Sequence, residues 1–173
     1  MADKNTPYPE AQKGRGAPSN AVSQRFNLQD REMDGDWLDE RDRIGDSAAK
    51  LRIDVTIEFP KSIINYNKSP DLPFDRSINA YRGCEHGCVY CYARPTQAYH
   101  DLSPGLDFES KLFAKPNAAE LLRQTLAKPN YQPANLAIGT NTDPYQPIEK
   151  RFRITRQILE VMLETLHPVV ITT

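Results

Sequence analysis

A chain of 173 residues and 19.7 kDa has room for one domain plus tails. Its 22 Lys and Arg nearly balance 23 Asp and Glu, so no global basicity advertises nucleic acid and none forbids a local basic face. No apolar run reaches the roughly 18 residues that a membrane-spanning helix needs, and Met1-Ala2-Asp3-Lys4-Asn5 lacks the apolar core of a secretory signal. The expectation is therefore no membrane partner and a reducing, cytoplasmic compartment.

Residues 1–50 are poor in large apolar side chains and rich in Gly, Pro, Asn, Asp and Arg. Such a composition buries too little surface to offset the entropy of ordering, which predicts a mostly disordered tail. Phe26, Trp37 and Leu38 are the residues that could dock it on the folded part as a strap. Residues 51–75 read as a pre-barrel strand and loop. Leu51 to Phe59 alternates apolar and polar residues with β-branching, a half-exposed strand that Pro60 ends. Asn65 to Phe74 is rich in turn formers and predicts a loop.

Residues 76–173 carry the main unit. Ser77 to Arg82 reads as one short strand, Tyr92 to Tyr99 as a helix that tolerates Pro95 in its first turn, and Phe108 to Ala114 as a strand. Asn117 is the expected N-cap of a helix to Leu126. Asn135 to Gly139 predicts a short apolar strand followed by a polar loop to Lys150. Ile154, Ile158, Leu159, Met162, Leu163 and Leu166 recur at helical spacing, and Val169 to Thr173 reads as a buried strand after Pro168. Strand–helix alternation of this kind predicts an α/β fold with a parallel sheet.

All three cysteines fall in Cys84-Glu85-His86-Gly87-Cys88-Val89-Tyr90-Cys91, spaced C-x3-C-x2-C. Three thiols on one loop make no disulfide framework, but suit a soft metal or an iron–sulfur cluster. A cubane cluster has four irons, so three cysteines leave one iron open to a small molecule. Zinc is the rival, with Cys84, Cys88, Cys91 and either His86 or His100 making a closed Cys3His site.

The cysteine spacing, with Tyr90 directly before the third cysteine, resembles the signature of the radical S-adenosylmethionine (radical SAM) superfamily. Ser77-Ile78-Asn79-Ala80-Tyr81-Arg82-Gly83, Tyr92-Ala93-Arg94-Pro95 and Gly139-Thr140-Asn141-Thr142-Asp143-Pro144-Tyr145-Gln146-Pro147 narrow the likeness to the spore photoproduct lyase-like branch. The resemblance implies a partial (β/α) barrel of radical SAM type. It also implies a [4Fe-4S] cluster on Cys84, Cys88 and Cys91 whose open iron is chelated by S-adenosylmethionine. One-electron reduction then cleaves the sulfonium to methionine and a 5′-deoxyadenosyl radical that takes hydrogen from substrate.

By the same resemblance, Tyr90 lies against the adenine. Thr140, Asn141, Thr142 and Asp143 follow the strand where the family places acceptors for the cofactor's ammonium, and Arg82 and Arg94 are candidates for its carboxylate or for neighbouring acids. A lyase- or transferase-like enzyme follows, with an external reductant such as a flavodoxin or ferredoxin. Nucleic acid is the substrate class suggested by the branch's namesake. Since such a barrel exceeds the length available after Arg76, the sequence is expected to be part of a longer protein, or else a half-barrel completed by a partner chain, and poorly active alone. The other readings are a non-catalytic zinc- or iron–sulfur-binding module and an electron-transfer protein.

Overall fold

The computed structural model describes residues 51–173; the tail and the strap expected of Phe26, Trp37 and Leu38 lie outside the described residues. In chain order the elements are β1 (Asp54–Ile57), β2 (Asn65–Tyr66), β3 (Arg76–Ile78), β4 (Tyr81–Arg82), a 3₁₀ helix (Arg94–His100), α1 (Leu106–Ser110), β5 (Lys111–Ala114), α2 (Ala118–Leu126), β6 (Leu136–Ile138), α3 (Glu149–Phe152), α4 (Ile154–Glu164) and β7 (Val169–Ile171). The strands form two open sheets, ordered β2-β3-β6-β7 and β1-β5-β4. β3, β6 and β7 are mutually parallel, and β2 runs antiparallel at their edge. In the other sheet β5 pairs parallel with β1 and antiparallel with β4.

The apolar faces of α2 and α4 cover the parallel sheet. Leu122, Ile154, Ile158, Val161 and Met162 meet Ile78, Leu136 and Ile138 in one core, to which Ile63, Ile64 and Tyr81 also belong. Both helices carry most of their apolar residues on one stripe, with Arg123 and Glu164 paired at 2.9 Å on the other side; Leu163, and Leu166 just past α4, were expected on that stripe but are exposed. Among the described residues no helix is long and apolar enough to cross a membrane.

Several expectations are corrected. Ser77 to Arg82 is not one strand. The chain leaves the parallel sheet after Ile78 and joins the second sheet as β4, so one six-residue stretch stitches the two sheets together. At the bend, the Ala80 carbonyl accepts from Lys115 N, and the Asn79 carbonyl from Lys115 Nζ. Phe108 to Ala114 is likewise divided: residues 106–110 are a buried helical turn, and only 111–114 is strand. A short apolar run buried on all sides shows no periodicity that separates helix from strand.

Tyr92 to Tyr99 contains a 3₁₀ helix from Arg94, with Pro95 in its first turn as expected. The Asn65 to Phe74 loop includes β2, and the polar loop before Lys150 ends in α3. Asn117 precedes α2 but its side chain does not cap it, donating instead to the Pro60 carbonyl. β7 is an outer strand whose Val170 and Ile171 are exposed, not a buried one.

Lys115 is 5 % exposed, and burial, reinforced by the Arg82 charge, lowers its pKa to about 8. The unfolded chain then binds more protons than the folded one between about pH 8 and 10.5, so stability rises with pH across that window. Below that window the shift lowers folding stability by about 3 kcal/mol relative to a lysine of unshifted pKa. Lys115→Met should flatten the rise in urea-unfolding free energy between pH 8 and 10, whereas an unchanged slope would show that Lys115 titrates normally.

Candidate metal and cofactor site

Because β3, β6 and β7 are parallel, their carboxyl ends lie on one side of the sheet. Asn79, the Gly139–Asp143 segment and Thr172–Thr173 therefore come together there, and the cysteine loop is held against them. This is where ligands gather in parallel α/β sheets. Asn79 joins two of the segments: its Nδ2 donates to Thr140 Oγ1 at 3.0 Å and its Oδ1 accepts from Asn141 N at 2.9 Å. Tyr92 OH donates to the Thr140 carbonyl from the far side of the cysteine loop.

The loop begins at Gly83, whose φ of +71° belongs to the left-handed region. A Cβ there would stand 2.8 Å from both the Phe108 carbonyl and Leu112 Cδ2. The Gly83 carbonyl receives two donors, Thr142 Oγ1 at 2.5 Å and Gln146 Nε2 at 3.2 Å. Gln146 is fully buried, and its Oε1 accepts from Glu85 N, so a single side chain holds both sides of Cys84. Glu85 Oε1 in turn accepts from Ile148 N. Gly139 matches Gly83 on the other strand: at φ +88° its Cβ would fall 2.1 Å from the Thr172 carbonyl.

Cys84 is buried beside Phe108 and Ala93, while Cys88 and Cys91 are half-buried. Burial raises the Cys84 pKa, opposed by the backbone N–H groups of His86 and Asp143, which favour its thiolate. His86 Nδ1 lies 3.7 Å from Cys84 Sγ and 3.5 Å from Asp143 Oδ2. Asp143 Oδ1 also accepts from Tyr145 N and Thr173 Oγ1. His100 is turned elsewhere, 2.7 Å from Arg82 Nη1 and stacked on Phe113, so His86 alone of the two candidate histidines adjoins a cysteine.

Arg94 secures the other half of the loop. Its Nε and Nη2 both donate to the Cys88 carbonyl, Nη1 to the Pro104 and Gly105 carbonyls, and Nη2 also pairs with the fully buried Glu109. Arg82 pairs with Glu58 at 3.0 Å. The candidate carboxylate-binding arginines thus meet neighbouring acids and loop carbonyls in this structure.

Of the residues singled out in the sequence, the structure brings Cys84, Cys91, His86, Asp143 and Thr142 into one neighbourhood. Thr142 is buried and committed to Gly83. Tyr90 is 85 % exposed, so its ring is not packed beneath the loop. Asn79 and Gln146 stand in the sequence only as members of the quoted motif stretches, with no role assigned, and Glu109 carries no signal there; a buried amide or carboxylate has no periodic signature.

The donor chemistry fits a thiolate-bound metal group: three free cysteines on one loop, with backbone N–H groups directed at the first. As they stand, no three His, Cys, Asp or Glu side chains among the described residues are gathered closely enough to hold a metal ion.

No family model matches the chain, and no solved structure matches it. The chain is 43 % identical over 110 residues to uncharacterized proteins of Mycobacterium bovis and Mycobacterium tuberculosis, a match covering 62 % of this chain and 32 % of theirs. An uncharacterized protein of Methanocaldococcus jannaschii is 32 % identical over 100 residues, covering 58 % of this chain and 35 % of that one. The chain thus spans about a third of the length of the curated relatives it matches.

Alkylation of the metal-free protein near pH 8 should modify Cys88 and Cys91 before Cys84, the most buried of the three, whose thiol pKa is raised by burial. Gln146→Leu removes the Gln146 acceptor of the Glu85 N–H, at about 1–3 kcal/mol, and leaves the Gly83 carbonyl with Thr142 as its donor. It should lower thermal stability and speed Cys84 labelling, as read by mass spectrometry. Unchanged labelling would show that Gln146 does not hold the loop.

Proposed function

We propose that the chain is part of a radical SAM enzyme, lyase- or transferase-like, working in a reducing compartment, the cytoplasm. The observation that carries the reading is the C-x3-C-x2-C loop held at the carboxyl ends of parallel β3 and β6, next to the Thr140–Asp143 acceptors. In this reading Cys84, Cys88 and Cys91 would hold a [4Fe-4S] cluster, which would leave one iron for S-adenosylmethionine. Bound together, the two groups supply one-electron reductive cleavage of the sulfonium and hydrogen abstraction from substrate.

The chain's own residues orient and shield. Gln146 and Thr142 hold the Gly83 carbonyl at the start of the cysteine loop, and Arg94 holds the Cys88 carbonyl at its middle. Phe108 and Ala93 shield Cys84 from water. Asp143 with the oxygens of Thr140 and Asn141 offers acceptors for an ammonium group, and Tyr90 presents an exposed ring to an adenine. Nucleic acid stands as the proposed substrate class on resemblance alone.

The second reading is a zinc module, favoured by the 3.7 Å approach of His86 Nδ1 to Cys84 Sγ. Anaerobic reconstitution separates the two. The expected outcome is iron and acid-labile sulfide in equal amounts, a broad visible band, and loss of both on Cys84→Ser, Cys88→Ser or Cys91→Ser. S-adenosylmethionine should change the electron paramagnetic resonance spectrum of the dithionite-reduced protein, and 5′-deoxyadenosine should be released. A colourless protein with one zinc per chain, lost on His86→Ala, would establish the second reading instead.

A further inference from the structure

The segment Glu149-Lys150-Arg151-Phe152-Arg153-Ile154-Thr155-Arg156 places four cations in eight residues of a chain whose formal net charge is −1. All four are exposed. Arg153, at φ +53°, breaks the helix between α3 and α4. The turn brings Lys150, Arg153 and Arg156 around a cleft of about 430 Å³ that Tyr145, Gln146 and Glu149 complete. Among the described residues Glu149 is the only carboxylate lining it, and its oxygens are spent inward: Oε1 accepts from Arg156 N, and Oε2 from Thr155 N and the Tyr81 hydroxyl. Glu160 pairs with Arg156 at the outer edge, an exposed contact that a charged partner can displace.

The cleft backs directly onto the cysteine loop. Its wall residue Gln146 is the side chain that holds the Gly83 carbonyl and Glu85 N, and Ile148, one residue before α3, donates to Glu85 Oε1. A partner seated on the cations would therefore be one buried side chain away from the backbone around Cys84.

We infer that the Lys150–Arg153–Arg156 cleft is the docking surface for an acidic one-electron carrier protein, an inference that rests on the iron–sulfur reading above. Charge complementarity selects the occupant. Electron-transfer encounters are small and steered by opposite charge, so four clustered cations suffice. A nucleic-acid track instead sets cations along many phosphates with several stacking aromatics, and among the described residues Tyr145 is the only aromatic lining this cleft. In the docked pair the carrier is oxidised by one electron and the cluster reduced by one, with no bond made or broken.

The test has a binding arm that needs no cluster. An acidic flavodoxin, oxidised, is titrated into the full 173-residue chain and into K150E/R156E, with Arg52→Glu/Lys61→Glu as a control on exposed residues of another surface. Arg153 is left in place because its backbone resists most replacements. Affinity should fall on the order of tenfold in K150E/R156E and on the order of tenfold again in the parent between low and ~300 mM salt, with the control unchanged. In reconstituted protein the reduced flavodoxin should bleach the visible band more slowly in K150E/R156E, while dithionite reduces both alike.

Absence of flavodoxin binding at low salt, or equal weakening in the control, would overturn the inference. So would tighter binding of a single-stranded DNA oligomer that the same variant abolishes. Failure to take up iron would instead strike the iron–sulfur reading and leave the binding result to stand or fall separately.

Discussion

The carbonyl of Gly83 is the point on which the candidate site depends. It ends the segment that joins the two sheets, in a backbone conformation that only glycine adopts without strain and in a space where a Cβ would strike the Phe108 carbonyl. Thr142 and Gln146 both donate to it from the segment after β6. A buried carbonyl with two donors is worth little net when satisfied and a good deal when orphaned. The loop therefore has a strong reason to stay where it is. Cys84 follows immediately and inherits that position.

The rest of the loop is fixed from the opposite side and by different chemistry. Arg94 reaches the Cys88 carbonyl with two nitrogens and neutralises Glu109, which is fully buried in α1. A charge pair of this kind is weak evidence for stability, because both ions have left water. Its use is geometric. The planar guanidinium serves four oxygens at once, which sets the 3₁₀ helix, α1 and the Cys88 turn at fixed separations. The loop is anchored at Gly83 and again at Cys88, and the exposed Val89 and Tyr90 follow directly after the second anchor.

Much of the sheet and helix pattern was legible in the sequence. The α4 stripe of Ile154, Ile158 and Met162, the α2 helix and the β6 strand stand close to where periodicity places them. The Ser77–Arg82 stretch was misread because a strand pattern does not reveal that the chain changes sheets midway; the reason lies in Lys115, whose backbone and side chain satisfy the carbonyls at the bend from 35 residues away or more. The cysteines and the polar Thr140–Asp143 run were visible as residue types. Gln146 and Glu109 were not, since the meaning of a buried polar residue lies in partners distant along the chain. Asn117 shows the converse: a residue suited to capping a helix is used to hold the Pro60 carbonyl.

If three protein thiolates hold a four-iron cluster, one corner is left for a small-molecule ligand. Mössbauer spectroscopy of protein reconstituted with ⁵⁷Fe, with and without S-adenosylmethionine, reads that corner directly. The added cofactor should change the isomer shift of one iron in four and leave the other three alone. Four irons that remain equivalent with S-adenosylmethionine present, or thiols that bind no iron at all, would contradict it.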